Sequence, residues 1–379
     1  MPPKKKWPAP LVIPPLSKKH THTIISLHGK GSNAKRYGLV LLTAATLRAR
    51  LPTVKFVFPT AKKRRATRFK RMPINQWFDN FSIVDPGERI ELQVDGLCET
   101  ADFVRDLISE ETRILGEGSH KRIILWGLSQ GCAAGIFTLL GGSSDTSGAS
   151  TIGAFVGMSG WLPFEQQLCE ILRCGDIQGP ASASASASEA VAVSDTQDRD
   201  DAQQESSSDD GSDLDTASDA DADADASAFS EPDWDDDPFE RSCSSHDDFD
   251  PFAAQEEEAP LLVHAINHVR DVLDLPLFEA ADHSPNETPI PSSCGHLRTP
   301  VFIGHGSEDK KVAVELGTKM NHVLSVGLGM DVTWKIYQGL GHWYRVQDEI
   351  EDILTFLQDR VDLPVKKLLT QRQRKQVQG

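Results

Sequence analysis

The segment of this chain best equipped for covalent chemistry is Gly127-Leu128-Ser129-Gln130-Gly131. The apolar run Ile123-Ile124-Leu125-Trp126 precedes it, and the small residues Cys132, Ala133, Ala134 and Gly135 follow. A serine in a G-x-S-x-G frame, between an apolar run and small residues, reads as strand, sharp turn and helix. Side chains at 127 and 131 would collide with the neighbouring strand or helix, so both are glycine. The turn would expose the Ser129 hydroxyl at the carboxyl edge of a sheet, at the positive end of a helix. A hydroxyl is a weak nucleophile alone, so a base, an acid to orient it and donors for an oxyanion must come from elsewhere.

All three have candidates. Thr299-Pro300-Val301-Phe302-Ile303-Gly304 reads as a buried strand, and Asp309 lies in the loop beyond it. The next strand, Val332–Tyr337, ends in Gln338-Gly339-Leu340-Gly341-His342. The order serine, acid, histidine is the one expected for a serine on such a turn, so Ser129, Asp309 and His342 are the expected triad. Glu308 is the rival acid, and its earlier position and longer side chain fit the loop less well. His22, His28 and His305 are rival histidines at strand ends; His305 precedes the acid, which breaks the order. For the oxyanion, one donor should be the Gln130 backbone N–H. The other should be that of Lys30, in the His28-Gly29-Lys30-Gly31-Ser32 loop after the early strand Thr23–Leu27.

The elements that must position these residues alternate. Strands are expected near 23–27, 54–58, 122–126, 152–157, 299–304 and 332–337. Helices are expected near 34–49, 89–110, 130–140, 163–172, 261–273, 312–326 and 346–359. Buried strands alternating with helices predict an α/β fold: a mostly parallel, doubly wound sheet with helices on both faces. The candidate loops then share the carboxyl ends of the strands.

Residues 176–260 differ in kind, with Ala-Ser repeats at 181–188 and Asp-Ala repeats at 219–225. They hold 27 acidic and two basic residues, a net of −25, so a whole-chain charge of −17 leaves +8 for the rest. With so little apolar content they are expected to be a disordered acidic insertion. The expected organisation is a flexible basic tail (1–19), a first domain part (20–175), the insertion (176–260), a second domain part (261–360) and a basic tail (361–379). The six cysteines form no CxxC pair and show no regular spacing. Neither a signal peptide nor a run of membrane-spanning length is found, so a cytoplasmic or nuclear-accessible setting is expected. The dense basic clusters are one loop and the two tails, without a nucleic-acid-binding motif.

The segments Leu27–Gly31, Phe58-Pro59-Thr60-Ala61, Trp77-Phe78-Asp79, Gly127–Gly131, Met158-Ser159-Gly160-Trp161-Leu162-Pro163, His305–Asp309 and Gly341-His342 occur in one order. In that order they resemble the acyl-protein thioesterase / lysophospholipase-like carboxylesterase family of α/β-hydrolases. The resemblance implies an α/β-hydrolase fold and a Ser129, Asp309, His342 triad. It implies hydrolysis of thioesters or esters of long acyl chains, S-acylated proteins among them, with transient membrane-surface contact and neither metal nor organic cofactor. It also makes Trp77, Phe78, Trp161, Leu162 and Trp343 candidates for the substrate pocket. Three features depart from the family pattern. Lys30 stands where an apolar residue is common. The cover over the acyl channel, usually apolar, here carries Lys62-Lys63-Arg64-Arg65, Arg68, Lys70 and Arg71. Trp343 stands where a small residue is usual. An esterase of small-molecule or lipid esters is therefore the alternative. An inactive scaffold that recruits partners through the acidic insertion is a remoter one.

Overall fold

Side chains along a strand alternate between the two faces of its sheet, and two core layers result. Ile25, Val57, Ile123 and Leu125 join one hydrophobic cluster; Ile24, Phe56, Phe58, Ile124 and Trp126 join another. The computed structural model describes residues 6–144, 151–175, 260–278 and 290–367. The acidic insertion lies outside the described residues.

The strands are β1 (Leu11–Ile13), β2 (His22–Leu27), β3 (Val54–Phe58), β4 (Lys63–Ala66), β5 (Met72–Asn75), β6 (Ile123–Leu128), β7 (Ala154–Met158), β8 (Val301–Gly306) and β9 (Val332–Tyr337). The helices are α1 (Ala34–Ala44), α2 (Leu47–Arg50), α3 (Val94–Leu115), α4 (Gln130–Gly141), α5 (Glu165–Leu172), α6 (Leu261–Val272), α7 (Val314–His322) and α8 (Glu351–Val361). Seven strands form one sheet in the order β1-β3-β2-β6-β7-β8-β9. All neighbours are parallel except β1 and β3. Helices α3 to α7 contribute to the first core layer; α1, α2 and α8 contribute to the second. This is the doubly wound arrangement the alternation predicts.

The termini and helix ends differ from the sequence-based expectation. Residues 6–19 are not all a flexible tail: β1 pairs with β3, and Trp7 stacks on Phe103 with ring centroids 4.2 Å apart. Three residues are too few for alternation to announce a strand. The C-terminal tail likewise begins docked, with Leu363 buried and the Lys366 N–H donating to Arg50 O at 2.7 Å. The helix expected over 34–49 breaks at Thr46, whose backbone is left-handed (φ 48°). The hairpin β4–β5, with Arg64 opposite Ile74 and Arg65 opposite Pro73, was not expected at all.

Candidate active site

Strand β6 runs into α4 through a turn whose tightness is measurable at the two predicted glycines. A Cβ on Gly127 would lie 2.4 Å from Gly131 O, and one on Gly131 would lie 2.3 Å from Leu27 O. Ser129, between them, has φ 56° and ψ −124°, a strained backbone for any residue with a side chain. Its N–H donates to Met158 O at 2.9 Å, which fastens the turn to β7.

The carboxyl ends of β8 and β9 bring the other two groups to it. His342 Nε2 is 3.0 Å from Ser129 Oγ, and His342 Nδ1 is 2.7 Å from Asp309 Oδ2. A carboxylate can only accept, so Nδ1 carries the proton and Nε2 is left to accept the serine hydrogen. Asp309 Oδ1 accepts from the N–H groups of Lys311 (2.9 Å) and Val312 (3.0 Å). Burial pushes the Asp309 carboxyl up. The bonds from His305, His342 and the Val312 amide outweigh burial and hold it well below the usual carboxylate range.

The rivals occupy other positions. Glu308 is exposed. His305 is buried behind Asp309, with Nε2 2.9 Å from Val312 O. His28 serves the loop it begins: its ring pairs with Gly29 O at 2.7 Å and accepts from the Ala61 N–H at 3.0 Å. Burial lowers its pKa to about 4, so it is neutral there.

The His28–Ser32 loop crosses over the serine. A Cβ on Gly29 would be 3.4 Å from Ser129 Cβ and 3.8 Å from its Oγ. Among the described residues, no acceptor pairs with the backbone N–H of Lys30 or of Gln130. Gly31 N–H bonds Asn75 O (2.8 Å), and Asn75 Nδ2 bonds Ser32 O (2.8 Å), so β5 holds the loop from outside.

Sequence reasoning missed a polar seam that joins the two candidate donor loops. The Gln130 side chain is fully buried; it accepts from the Trp77 N–H (3.1 Å) and donates to Phe78 O (2.8 Å) and Asn80 Oδ1 (3.2 Å). Asn80 Oδ1 also accepts from Lys30 Nζ at 3.0 Å. Lys30 thus reaches back across the site, with its ammonium 5.4 Å from the Phe69 ring centroid. Burial lowers its pKa to about 8, against the pull of nearby Asp79. A polar residue directly after Trp-Phe-Asp was the one available signal.

The pocket candidates divide. Trp77 and Phe78 are fully buried core residues: the Trp77 indole N–H donates to His28 O at 2.7 Å, so it supports the loop from below. Trp161 and Leu162, just past β7, line a cavity of about 210 Å³ together with Ile90, Phe164 and Leu316. Trp343 is 45% exposed and stacks on Tyr344. Five basic side chains of the β4–β5 hairpin, Lys63, Arg65, Arg68, Lys70 and Arg71, are exposed, whereas Lys62 and Arg64 share Glu99.

A parallel doubly wound sheet with a serine turn after a central strand, and with Asp309 and His342 after later strands, is the α/β-hydrolase fold. The model of the phospholipase/carboxylesterase family matches residues 9–177. The chain is 31% identical over 161 residues to acyl-protein thioesterase 1 of Yarrowia lipolytica, covering 42% of this chain and 66% of that protein. It is 29% identical over 153 residues to acyl-protein thioesterase 1 of Neurospora crassa, covering 40% and 60%. The chain thus spans about two thirds or less of the curated relatives it matches. Among solved structures, Zea mays acyl-protein thioesterase 2 superposes with a TM-score of 0.51 at 17% identity, covering 93% of this chain and 98% of that one. A variant of Arabidopsis thaliana SOBER1 superposes with a TM-score of 0.50 at 16% identity, covering 90% and 99%. At these identities the structures attest the fold. Among the described residues, no helix is long and apolar enough to cross a membrane.

Proposed function

We propose that the chain is a serine hydrolase of acyl thioesters and carboxylic esters. The observation that carries this is the unbroken relay Asp309–His342–Ser129, with bonds of 2.7 and 3.0 Å. His342 Nε2 takes the Ser129 proton as Oγ attacks the acyl carbon, and Asp309 holds the imidazolium that forms. The oxyanion of the tetrahedral intermediate lies against the Lys30 and Gln130 N–H groups. Collapse breaks the bond to the leaving thiol or alcohol, which receives its proton from His342 and leaves an acyl-Ser129. Water, deprotonated by His342, repeats the sequence and frees the acid.

The names of the curated relatives support S-acylated proteins as substrates. A cation at position 30, on the loop that crosses Ser129, favours a second reading, shorter or more polar acyl esters. That residues 20–175 and 261–360 are the two parts of one hydrolase domain belongs to the same proposal. Turnover of a chain-length series of acyl thioesters and acyl esters separates the two readings. Optima at long-chain thioesters support the first, and optima at short esters support the second. Absence of turnover and of fluorophosphonate labelling would overturn both.

A further inference from the structure

Helix α5 follows the cavity-lining segment and ends at Leu172. Arg173 turns left-handed (φ 53°), its N–H bonds Glu170 O at 3.2 Å, and the Cys174 N–H bonds Cys169 O at 3.2 Å. These two bonds define a helix stop that brings together the side chains five residues apart on either side of it, normally as an apolar contact. Here both positions are cysteine, and the sulfurs are 3.0 Å apart. A disulfide at about 2.05 Å needs an approach of only about one ångström more. The turn is also fixed from outside, because His322 Nε2 of α7 lies 2.9 Å from Cys174 O. Both cysteines are partly exposed, within reach of a small oxidant. The remaining described thiols are differently situated. Cys132 is fully buried and burial pushes its thiol up to about 12; Cys294 is buried; Cys98 donates to Val272 O at 2.8 Å.

We propose that Cys169 and Cys174 are an oxidisable thiol pair that closes to a disulfide across the end of α5, with a hydroperoxide as oxidant. One sulfur, as thiolate, attacks the peroxide: an S–O bond forms, the O–O bond breaks, and the departing oxide takes up a proton. The second sulfur then attacks the sulfenic sulfur; the S–S bond forms, the S–O bond breaks, and hydroxide leaves as water. Two electrons pass from the sulfurs to the peroxide. The products are the disulfide, one water and one alcohol, or two waters from hydrogen peroxide. The pair is independent of the hydrolase reading, since neither sulfur belongs to the Ser129 relay. In a reducing compartment the bond would be transient, returned to thiols by exchange.

The test uses the full chain exposed to hydrogen peroxide, then blocked with iodoacetamide and digested with trypsin. Trypsin cuts after Arg173, between the two cysteines. The disulfide is therefore read as two peptides joined, two hydrogens lighter than their sum and separated by reductant, with fragmentation placing the link at Cys169 rather than at Cys132 of the same peptide. The expected result is that this joined species is the first product and that titratable thiols fall by two. In Cys174→Ser, peroxide should leave Cys169 as a sulfenic acid that dimedone traps, without the joined species. Separate recovery of the two peptides, each alkylated or over-oxidised on its own while another cysteine of the chain oxidises, would overturn the proposal. The wild-type arm is decisive even if a serine variant folds poorly.

Discussion

Replacing Asp309 by asparagine tests the site at its most determined point. An amide offers one acceptor oxygen where the carboxylate offers two. The Lys311 and Val312 N–H groups, at 2.9 and 3.0 Å, compete for it with His342, at 2.7 Å. Turning the amide nitrogen toward the two backbone donors would leave both unpaired. At about 1–3 kcal/mol for each buried unpaired donor, that orientation is disfavoured by at least about 2 kcal/mol. The oxygen therefore stays on the loop, and the amide NH2 faces His342. Nδ1 must then accept, and the ring proton moves to Nε2, where it points at Ser129 and blocks proton uptake. Fewer than about one molecule in thirty would keep the productive arrangement, at about 1.4 kcal/mol per tenfold. The loss of kcat/KM on p-nitrophenyl butyrate should be at least about 30-fold, and up to the roughly 10^4-fold that the same change causes in serine proteases. Thermal melting should stay near wild type, because the oxygen keeps both loop bonds. A rate within about threefold of wild type would refute the reasoning, and a larger loss in Glu308→Gln would show that the acid is misassigned.

Ser129→Ala should abolish fluorophosphonate labelling and nearly all turnover, read by gel fluorescence and the same ester assay. Lys30→Met should lower kcat by about threefold to tenfold, less than the 10²–10³ of a lost oxyanion donor, because the Lys30 backbone N–H remains. Wild-type kcat should fall as pH rises through about 8, when the buried Lys30 ammonium that donates to Asn80 Oδ1 is lost. A pH profile of the Lys30→Met variant should lack that limb. Glu349 is 1% exposed, and burial raises its pKa to about 8. The folded state keeps a proton that the unfolded chain loses above about pH 4.3, so this group's contribution falls as pH rises toward 8. Glu349→Gln should therefore gain melting temperature relative to wild type at pH 8 and not at pH 4; an equal shift at both would refute the protonated carboxyl.

The relay was legible because its chemistry demands residue types in a fixed order. Gly127 and Gly131 announce the turn, and apolar β6, β8 and β9 announce the strands whose ends carry the side chains. What the sequence concealed depends on contacts between distant segments. Gln130 was read for its backbone alone, yet its amide side chain anchors Trp77, Phe78 and Asn80. The aromatic pair Trp77-Phe78 suggested a pocket wall, whereas the indole N–H is spent on His28 O inside the core. The hairpin β4–β5 gives no strand signal in the sequence: β4 is Lys63-Arg64-Arg65-Ala66, without apolar alternation, and β5 carries Pro73. The acidic insertion and its expected disorder lie outside the described residues.

The two ends of the Ser129–His342 bond are 213 residues apart in the chain. Strand β8 reaches β6 only through β7, with Phe155 opposite Val301. A ribosome-bound chain therefore exposes its serine turn long before the histidine exists, and during that interval the hydroxyl has no base. Chemical competence arrives with the last strand, after the slow, long-range closure of the sheet. On the proposed Ser129–His342–Asp309 relay, a partly synthesised or misassembled copy lacks its base and is expected to be catalytically silent. For the same reason, turnover reports completed assembly: a refolding experiment followed by ester hydrolysis times the docking of β8 and β9, not the collapse of the first half.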